Sequence, residues 1–187
     1  MSYKIGMVCG KPEFATLPVV KIAEYPLEKA AYKPYVQIKL CLNEKALFIR
    51  MLAFEVKVMP ESCVAAAFAF DGSNKILVVR STNTAATAYS LDTQTTEETP
   101  FVHEAHFFGG EDLQGIYWGV DITLPKENLQ DNFPTAQLYK GGKLKGNFYK
   151  TCTAPPFVHM GSLFPCDFTN KDFISPEAMA EFEIVDY

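Results

Sequence analysis

The stretch Gly146-Asn147-Phe148-Tyr149-Lys150, running on through Cys152, Pro155-Pro156, His159, Ser162 and Phe164-Pro165 to Asp167, decides how this chain is read. Taken alone it is neither a clean strand nor a helix. Asn147, Tyr149, Lys150, His159, Ser162 and Asp167 offer hydrogen-bonding groups, and Phe148, Phe157, Phe164 and Phe168 offer ring faces. The prolines stiffen the backbone between them. Ordering such a segment costs conformational entropy that a plain loop does not recover, so it has to dock on a scaffold. The remaining residues have to supply that scaffold.

Working outward, Gly115 to Leu124 alternates clearly. Ile116, Trp118, Val120 and Ile122 share one face, and Tyr117, Gly119, Asp121 and Thr123 share the other. Pro125 ends this strand, and Lys126 to Asn132 suits one or two helical turns with Pro125 near the first helical position. Val36 to Leu42 alternates as a half-buried strand. Ala46 to Val58 is apolar on both faces at first and alternates later, which predicts a long strand with Glu55 and Lys57 outward. Val64 to Phe70 and Lys75 to Ser81 flank Asp71-Gly72-Ser73-Asn74, a hairpin signal. Alternation places Trp118 in the core and puts Arg80 on the face of Ile76 and Val78, at a sheet edge or in a cleft.

Weaker signals complete the pattern. Ala85 to Leu91 suits a further strand, and Asp92 to Pro100, rich in Thr and Glu, suits a solvated mobile loop. Thr135 to Tyr139 is expected to pair with Gly146 to Lys150 across the loop holding Gly141-Gly142. Gly109-Gly110 reads as another turn, and Glu181 to Val185 as a closing strand. Residues 1–34, with Pro12, Pro18, Pro26 and Pro34, read as an irregular lead-in that wraps the scaffold. About eight to ten short strands and no long amphipathic helix predict an all-β fold. The expected architecture is a two-sheet antiparallel β-sandwich, jelly-roll-like, with one or two short helices and a single domain spanning 1–187.

The 187 residues are 48% hydrophobic and 21% charged with a net charge of −5. No basic stripe exists to neutralise phosphates, so nucleic acid is not an expected partner. No apolar run of about 18 residues exists to span a membrane. Met1 to Lys11 shows no signal-peptide pattern, which points to a cytoplasmic protein. The five cysteines (Cys9, Cys41, Cys63, Cys152, Cys166) fit that compartment as reduced thiols. None is spaced as CxxC, and a Cys152–Cys166 disulfide is the alternative left open.

Catalytic patterns are sparse. His103 and His106 flank Glu104, but on a strand the two imidazoles would face opposite sides, so a surface loop is the plainer reading. Glu111-Asp112 has no identifiable partner carboxylate, and Glu97-Glu98 sits in the solvated loop. Neither Gly-Gly pair makes a phosphate loop. The expectation is a non-catalytic protein.

Three stretches together resemble the family 9 carbohydrate-binding modules, in particular the family-9-like domains found as stand-alone bacterial proteins. They are Glu61-Ser62-Cys63-Val64, Glu111 to Gly119 running on to Leu124-Pro125, and Gly146 to Lys150 with Cys152. The last is followed by His159, Ser162, Phe164-Pro165 and Asp172-Phe173 with Pro176-Glu177. The resemblance covers roughly Tyr32 to Tyr187. It implies a β-sandwich that binds glycan ends or short oligosaccharides, often with a structural Ca²⁺. Carbohydrate is therefore the expected partner, and a protein partner is not specified.

Sugar recognition suits the residues: aromatic rings stack on the C–H face of a pyranose, and amide or guanidinium groups fork vicinal hydroxyls. Arg80, Asn147, Tyr149, His159 and Phe164 are the candidate sugar contacts. This chain departs from the pattern in four places. It has one Trp where the sugar-binding members use two, Phe164 where many relatives have Trp, Ile174-Ser175 in place of His-Arg, and Ala65 in place of a carboxylate. Two alternatives stand beside the sugar reading. One is a sandwich holding haem or another cofactor non-covalently through Met51, Met59, His103, His106, His159 or Met160. The other is a protein-interaction module that no longer binds sugar.

Overall fold

The computed structural model describes residues 3–28, 32–113 and 115–187; Gln114, inside the Glu111 to Gly119 motif, lies outside them. Thirteen strands form among these residues, with little helix. In chain order they are β1 (Tyr3–Met7), β2 (Val20–Lys21), β3 (Tyr35–Leu42), β4 (Ala46–Glu55), β5 (Cys63–Ala69), β6 (Lys75–Ser81) and β7 (Ala86–Asp92). There follow β8 (Glu98–Pro100), β9 (Glu104–Asp112), β10 (Gly115–Pro125), β11 (Lys143–Cys152), β12 (His159–Ser162) and β13 (Ala180–Asp186). One short helix, α1 (Lys126–Asn132), follows β10 with Pro125 at its N-cap and Leu129 buried.

The strands join in one hydrogen-bonded path, β8-β7-β6-β5-β11-β13-β1-β3-β4-β10-β9, with β12 on β11 and β2 on β3. The path doubles over itself. Val64, Ala66, Phe68, Leu77, Val79 and Phe148 of one arm share a single core with Ile38, Leu40, Ile49, Met51, Val120 and Ile122 of the other. Alternation explains the division, because residues two apart point to one side of a strand. The result is the expected all-β sandwich, with β13 and β1 forming the bend between its layers. Ile5, Phe182 and Ile184 fill that bend.

The lead-in is more regular than its prolines suggest. Tyr3–Met7 enters the sheet as β1, parallel to both β13 and β3. The antiparallel expectation fails there because β1 fills the gap between two strands that already run in one direction. Phe14 and Leu17 cover the outer face at Cys41, so the part of the lead-in that does wrap also buries apolar surface.

Three local expectations are corrected. Thr135 to Tyr139 forms no strand; Leu138 is buried, and the partners of Gly146 to Lys150 are β5 and, further along, β13 and β12. The deciding stretch is therefore the middle of a central strand. Gly109-Gly110 belongs to β9, not to a turn. A Cβ on Gly110 would lie 2.8 Å from the Tyr117 hydroxyl oxygen, so glycine is needed where that ring crosses the strand. Within Asp92 to Pro100, the last three residues pair with β7, and Asp92 Oδ1 accepts from the backbone N–H of Gln94 and Thr95. All five cysteines are free thiols. No helix among the described residues is long and apolar enough to cross a membrane.

Phe148 sits where these elements meet, fully buried and edge-on to both Phe68 and Phe182. Phe148→Ala is expected to lower unfolding free energy by about 3–5 kcal/mol, the usual cost of a large core cavity. Urea denaturation should show this as a shifted midpoint with an unchanged slope.

Candidate functional site

The outer face of the first layer is built from small residues. Ala65, Ala67 and Ala69 of β5 lie beside Ile76 and Val78 of β6 and Tyr149 of β11. Such a low floor lets the segment after β12 lie flat on the sheet, with Phe168 and Met179 buried against it. Asn147 fastens that segment. Its Nδ2 donates to the carbonyls of Phe164 (3.1 Å) and Ala178 (2.7 Å), and its Oδ1 accepts from the N–H of Phe164 (3.0 Å). One buried amide thereby satisfies backbone groups 14 residues apart along the tail.

Where this cover stops, a groove opens. It has a volume of about 480 Å³ and lies between Arg80, Tyr89, Leu91 and Glu98 on the sheet and Phe173 and Ile174 on the tail. Strand register explains the arrangement. Arg80 is opposite Ala65 on one side and Thr87 on the other, and Tyr89 is opposite Val78, so both long side chains rise from an otherwise small, apolar floor. Arg80 is exposed and forms no ion pair with a carboxylate among the described residues. Burial pushes the Tyr89 phenol above its ordinary range, and the nearby Arg80 charge opposes that push.

A second constellation closes one end of the sandwich from within. Lys150 Nζ of β11 is 3.1 Å from Glu55 Oε1 of β4, with neither side chain exposed beyond 1%. Ser62 donates to the same carboxylate (2.9 and 2.7 Å), Lys150 donates to Ser62, and Trp118 Nε1 donates to Glu55. His159 Nδ1 lies 2.7 Å from the Phe157 carbonyl, which directs the ring proton there. Its Nε2 then faces Glu55 Oε1 at 3.9 Å without a hydrogen bond. Burial drives the His159 pKa down to about 4, assisted by the Lys150 charge. Burial likewise pulls the Lys150 ammonium below its usual range, while Glu55 counters it.

These placements sort the sequence candidates. Arg80 lines the groove. Asn147 is spent on tail carbonyls, and Tyr149 lies fully buried beneath Phe173, their rings 5.4 Å apart. His159 belongs to the closed end, and Phe164 packs edge-on against Tyr3 and Phe182. Trp118 is in the core, as its alternation requires. Glu55 is the main correction: it shares its face with Leu47, Ile49, Met51 and Ala53, so the alternation that was read as ending outward continues inward. Tyr89 and Phe173 were missed because only the fold brings β7 and the tail together.

The proposed haem ligands do not converge: Met51 is inside the core, His159 is at the closed end, and His106 is exposed on β9. Among the described residues no group of three or more His, Cys, Asp or Glu side chains is placed to hold a metal ion.

No protein-family model and no curated protein matches the sequence. Solved structures do match. A presumed carbohydrate-binding protein from Bacteroides uniformis superposes with a TM-score of 0.78 at 14% identity, covering 98% of each chain. A family 9 carbohydrate-binding module from Caldicellulosiruptor kristjanssonii in complex with glucose gives 0.62 at 10% identity, covering all of this chain and 97% of that one. The same organism's family 9 module in complex with cellotriose gives 0.62 at 11% identity, covering 100% and 95%. At such identities the likeness establishes the fold: this chain has the fold of the family 9 modules.

The closed end makes two predictions. Lys150→Met leaves the Glu55 carboxylate buried without its cation and should cost about 3–5 kcal/mol, whereas Glu55→Gln/Lys150→Met should recover much of that loss. A double-mutant cycle from denaturant unfolding measures both. His159 binds its proton more weakly folded (about 4) than unfolded (6.5), so the unfolded chain takes up more protons between those values. Stability should therefore fall as pH drops from about 6.5 to 4, by up to about 3 kcal/mol from this residue, and His159→Gln should flatten that part of the pH profile.

Proposed function

We propose that this protein binds carbohydrate without catalysing a reaction on it, in the groove between the outer face of β6–β8 and residues 171–177. The observation that carries the reading is Arg80: an exposed guanidinium, free of carboxylate pairing among the described residues, rising from an alanine- and valine-lined floor beside Tyr89 and Phe173. A guanidinium fork suits two vicinal hydroxyls, and ring surfaces suit the C–H face of a pyranose. A volume of about 480 Å³ lies within the range of small-ligand sites and favours a glycan end or short oligosaccharide over a long chain. Neighbours of the same fold in complex with glucose and cellotriose support this ligand class.

In this reading Arg80 is the direct contact among the sequence candidates, joined by Tyr89 and Phe173. Asn147, Tyr149 and Phe164 hold the tail that forms the opposite wall. His159 acts at a further remove, by filling the closed end that fixes β11 and β12. The Ser62, Lys150 and Glu55 side chains are sealed from solvent, so this grouping of hydroxyl, amine and carboxylate serves packing and not substrate chemistry.

Isothermal calorimetry against mono- and oligosaccharides, including glucose and cellotriose, tests the proposal with and without Ca²⁺. Arg80→Ala is expected to weaken binding at least about tenfold, or about 1.4 kcal/mol, without changing the unfolding midpoint. Phe173→Ala should weaken it similarly and also lower the midpoint, because Phe173 packs on Tyr149 and Phe168. Absence of binding heat across the whole panel would overturn the reading.

A further inference from the structure

The outer face of the other layer carries a second arrangement of aromatic side chains. Strand register lines up Tyr35 (β3), Phe54 (β4), Tyr117 (β10) and Gly110 (β9) in one row across four strands. The next row on the same face is Gln37, Leu52, Gly119 and Phe108. Ring centroids of Tyr35, Phe54 and Tyr117 are 5.8 Å apart at each step, tilted by 43° and 45°. Glycine sets how these rings lie. A Cβ on Gly110 would meet the Tyr117 ring at 3.1 Å, and one on Gly119 would meet the Phe108 ring at 2.5 Å. Tyr117 and Phe108 therefore lie across the neighbouring strand with a flank turned outward, not upright between taller side chains.

The chain covers only part of this face itself. In the third row Arg50 is held by Asp121 through two bonds of 2.6 Å and lies under Phe14, 4.3 Å from its centroid. Phe14, Arg50, Asp121 and Phe48 line a larger groove of about 1190 Å³. Phe108, 5.0 Å from the Arg50 guanidinium, joins this groove to the uncovered aromatic rows. Tyr35 remains 38% exposed, with Gln37 donating to its hydroxyl and the Lys21 ammonium over its ring.

We infer that this face is a second glycan-binding surface, a platform for an extended stretch of neutral polysaccharide. Apart from Lys21, which stands beside Gln37 at the β2 margin and over the Tyr35 ring, the outward side chains of the first two rows carry no ionised group, although the chain as a whole has a net charge of −5. A floor with one cation at its margin and no other charge suits an uncharged ligand; a polyanion or a charged peptide would find no run of counter-charges along it. Phenol hydroxyls and an amide edge the rings, which is the pairing that a polyhydroxylated ligand with apolar C–H faces uses. A floor of three rings in line, with centroids 5.8 Å apart at each step and a larger groove alongside, fits more than one sugar unit at once. The Arg80 groove fits only an end or a short piece. The inference rests on the carbohydrate reading for its ligand class and on different residues for its site.

Retention on insoluble neutral polysaccharides (cellulose, xylan and mannan) tests it, comparing wild type, Tyr35→Ser/Tyr117→Ser, the milder Tyr35→Ser, and Arg80→Ala. Wild type and Arg80→Ala should be retained by at least one polymer. Retention should drop at least about tenfold in the double variant and by less in Tyr35→Ser, with all variants melting cooperatively. No retention of wild type, or retention that survives in both tyrosine variants, overturns the platform. Loss in Arg80→Ala alone also overturns it, while leaving the first groove intact. Polymer retention that depends on the tyrosines, with no calorimetric heat from short sugars, supports the platform and instead overturns the reading of the Arg80 groove. Sedimentation velocity adds one further check: a dimer that Tyr35→Ser/Tyr117→Ser dissociates would make this face a self-interface and overturn the platform.

Discussion

The structure turns on an ion pair that no water reaches. Glu55 ends the long strand of one layer and Lys150 lies near the end of the central strand of the other, so their contact ties the two layers together at one end. Removing both charges from water costs several kcal/mol per ion, and their attraction offsets this only when the remaining donors and acceptors are satisfied. Ser62 and Trp118 provide that satisfaction for the carboxylate. Ser62 immediately precedes β5 and Trp118 belongs to β10, so the polar requirements of one carboxylate fix four backbone segments relative to one another. Replacing Trp118 by another apolar residue would preserve bulk and still remove one of the donors to Glu55 Oε2, leaving Ser62 alone on that oxygen.

Positioning continues outward from that pair. Because β5 and β11 are held in register at their ends, Tyr149, Ala65 and Arg80 fall in one row on the outer face. Three alanines in alternate positions of β5 then keep the floor low. A larger side chain at Ala67 would displace the tail that Asn147 fastens, and the wall formed by Phe173 and Ile174 would move with it. The groove is thus a consequence of small residues under the tail and of one amide that fixes where the tail runs.

Much of this was legible in the sequence, for a physical reason. Period-two alternation in Val36 to Leu42 and Gly115 to Leu124 reports directly on which side chains face the core, and the structure bears out both strands. The Asp-Gly hairpin joining β5 and β6 was equally plain, since the turn demands a residue that tolerates positive φ, and Gly72 has φ +76°. Glu55 was misread because its charge was allowed to outweigh its phase. A carboxylate in phase with Ile49, Met51 and Ala53 signals either the end of a strand or a buried partner, and a single strand cannot say which. β1 was hidden because five residues between two parallel neighbours need no alternation of their own. The Arg80 groove was half-readable: Arg80 broke the apolar phase of β6, but Tyr89 and Phe173 join it only through pairings and docking far apart in sequence.

The two outer faces are governed by opposite choices of side-chain size. On the first layer, alanines lower the floor and the chain fills the space with its own tail, leaving a bounded groove at the margin. On the second, glycines are placed under aromatic residues, so the rings themselves become the floor, with Lys21 of β2 reaching over the Tyr35 ring at one margin. Burying Tyr35, Phe54 and Tyr117 would have required only a longer wrap of the segment that already carries Phe14 across Arg50. Of the three rings only Tyr35 is exposed beyond a third of its surface, while Phe54 and Tyr117 stay half-buried against their neighbours. The same β-sandwich logic therefore produces a walled groove on one side and a flat aromatic face on the other, distinguished by whether the small residue stands in the row or beneath its neighbour's ring.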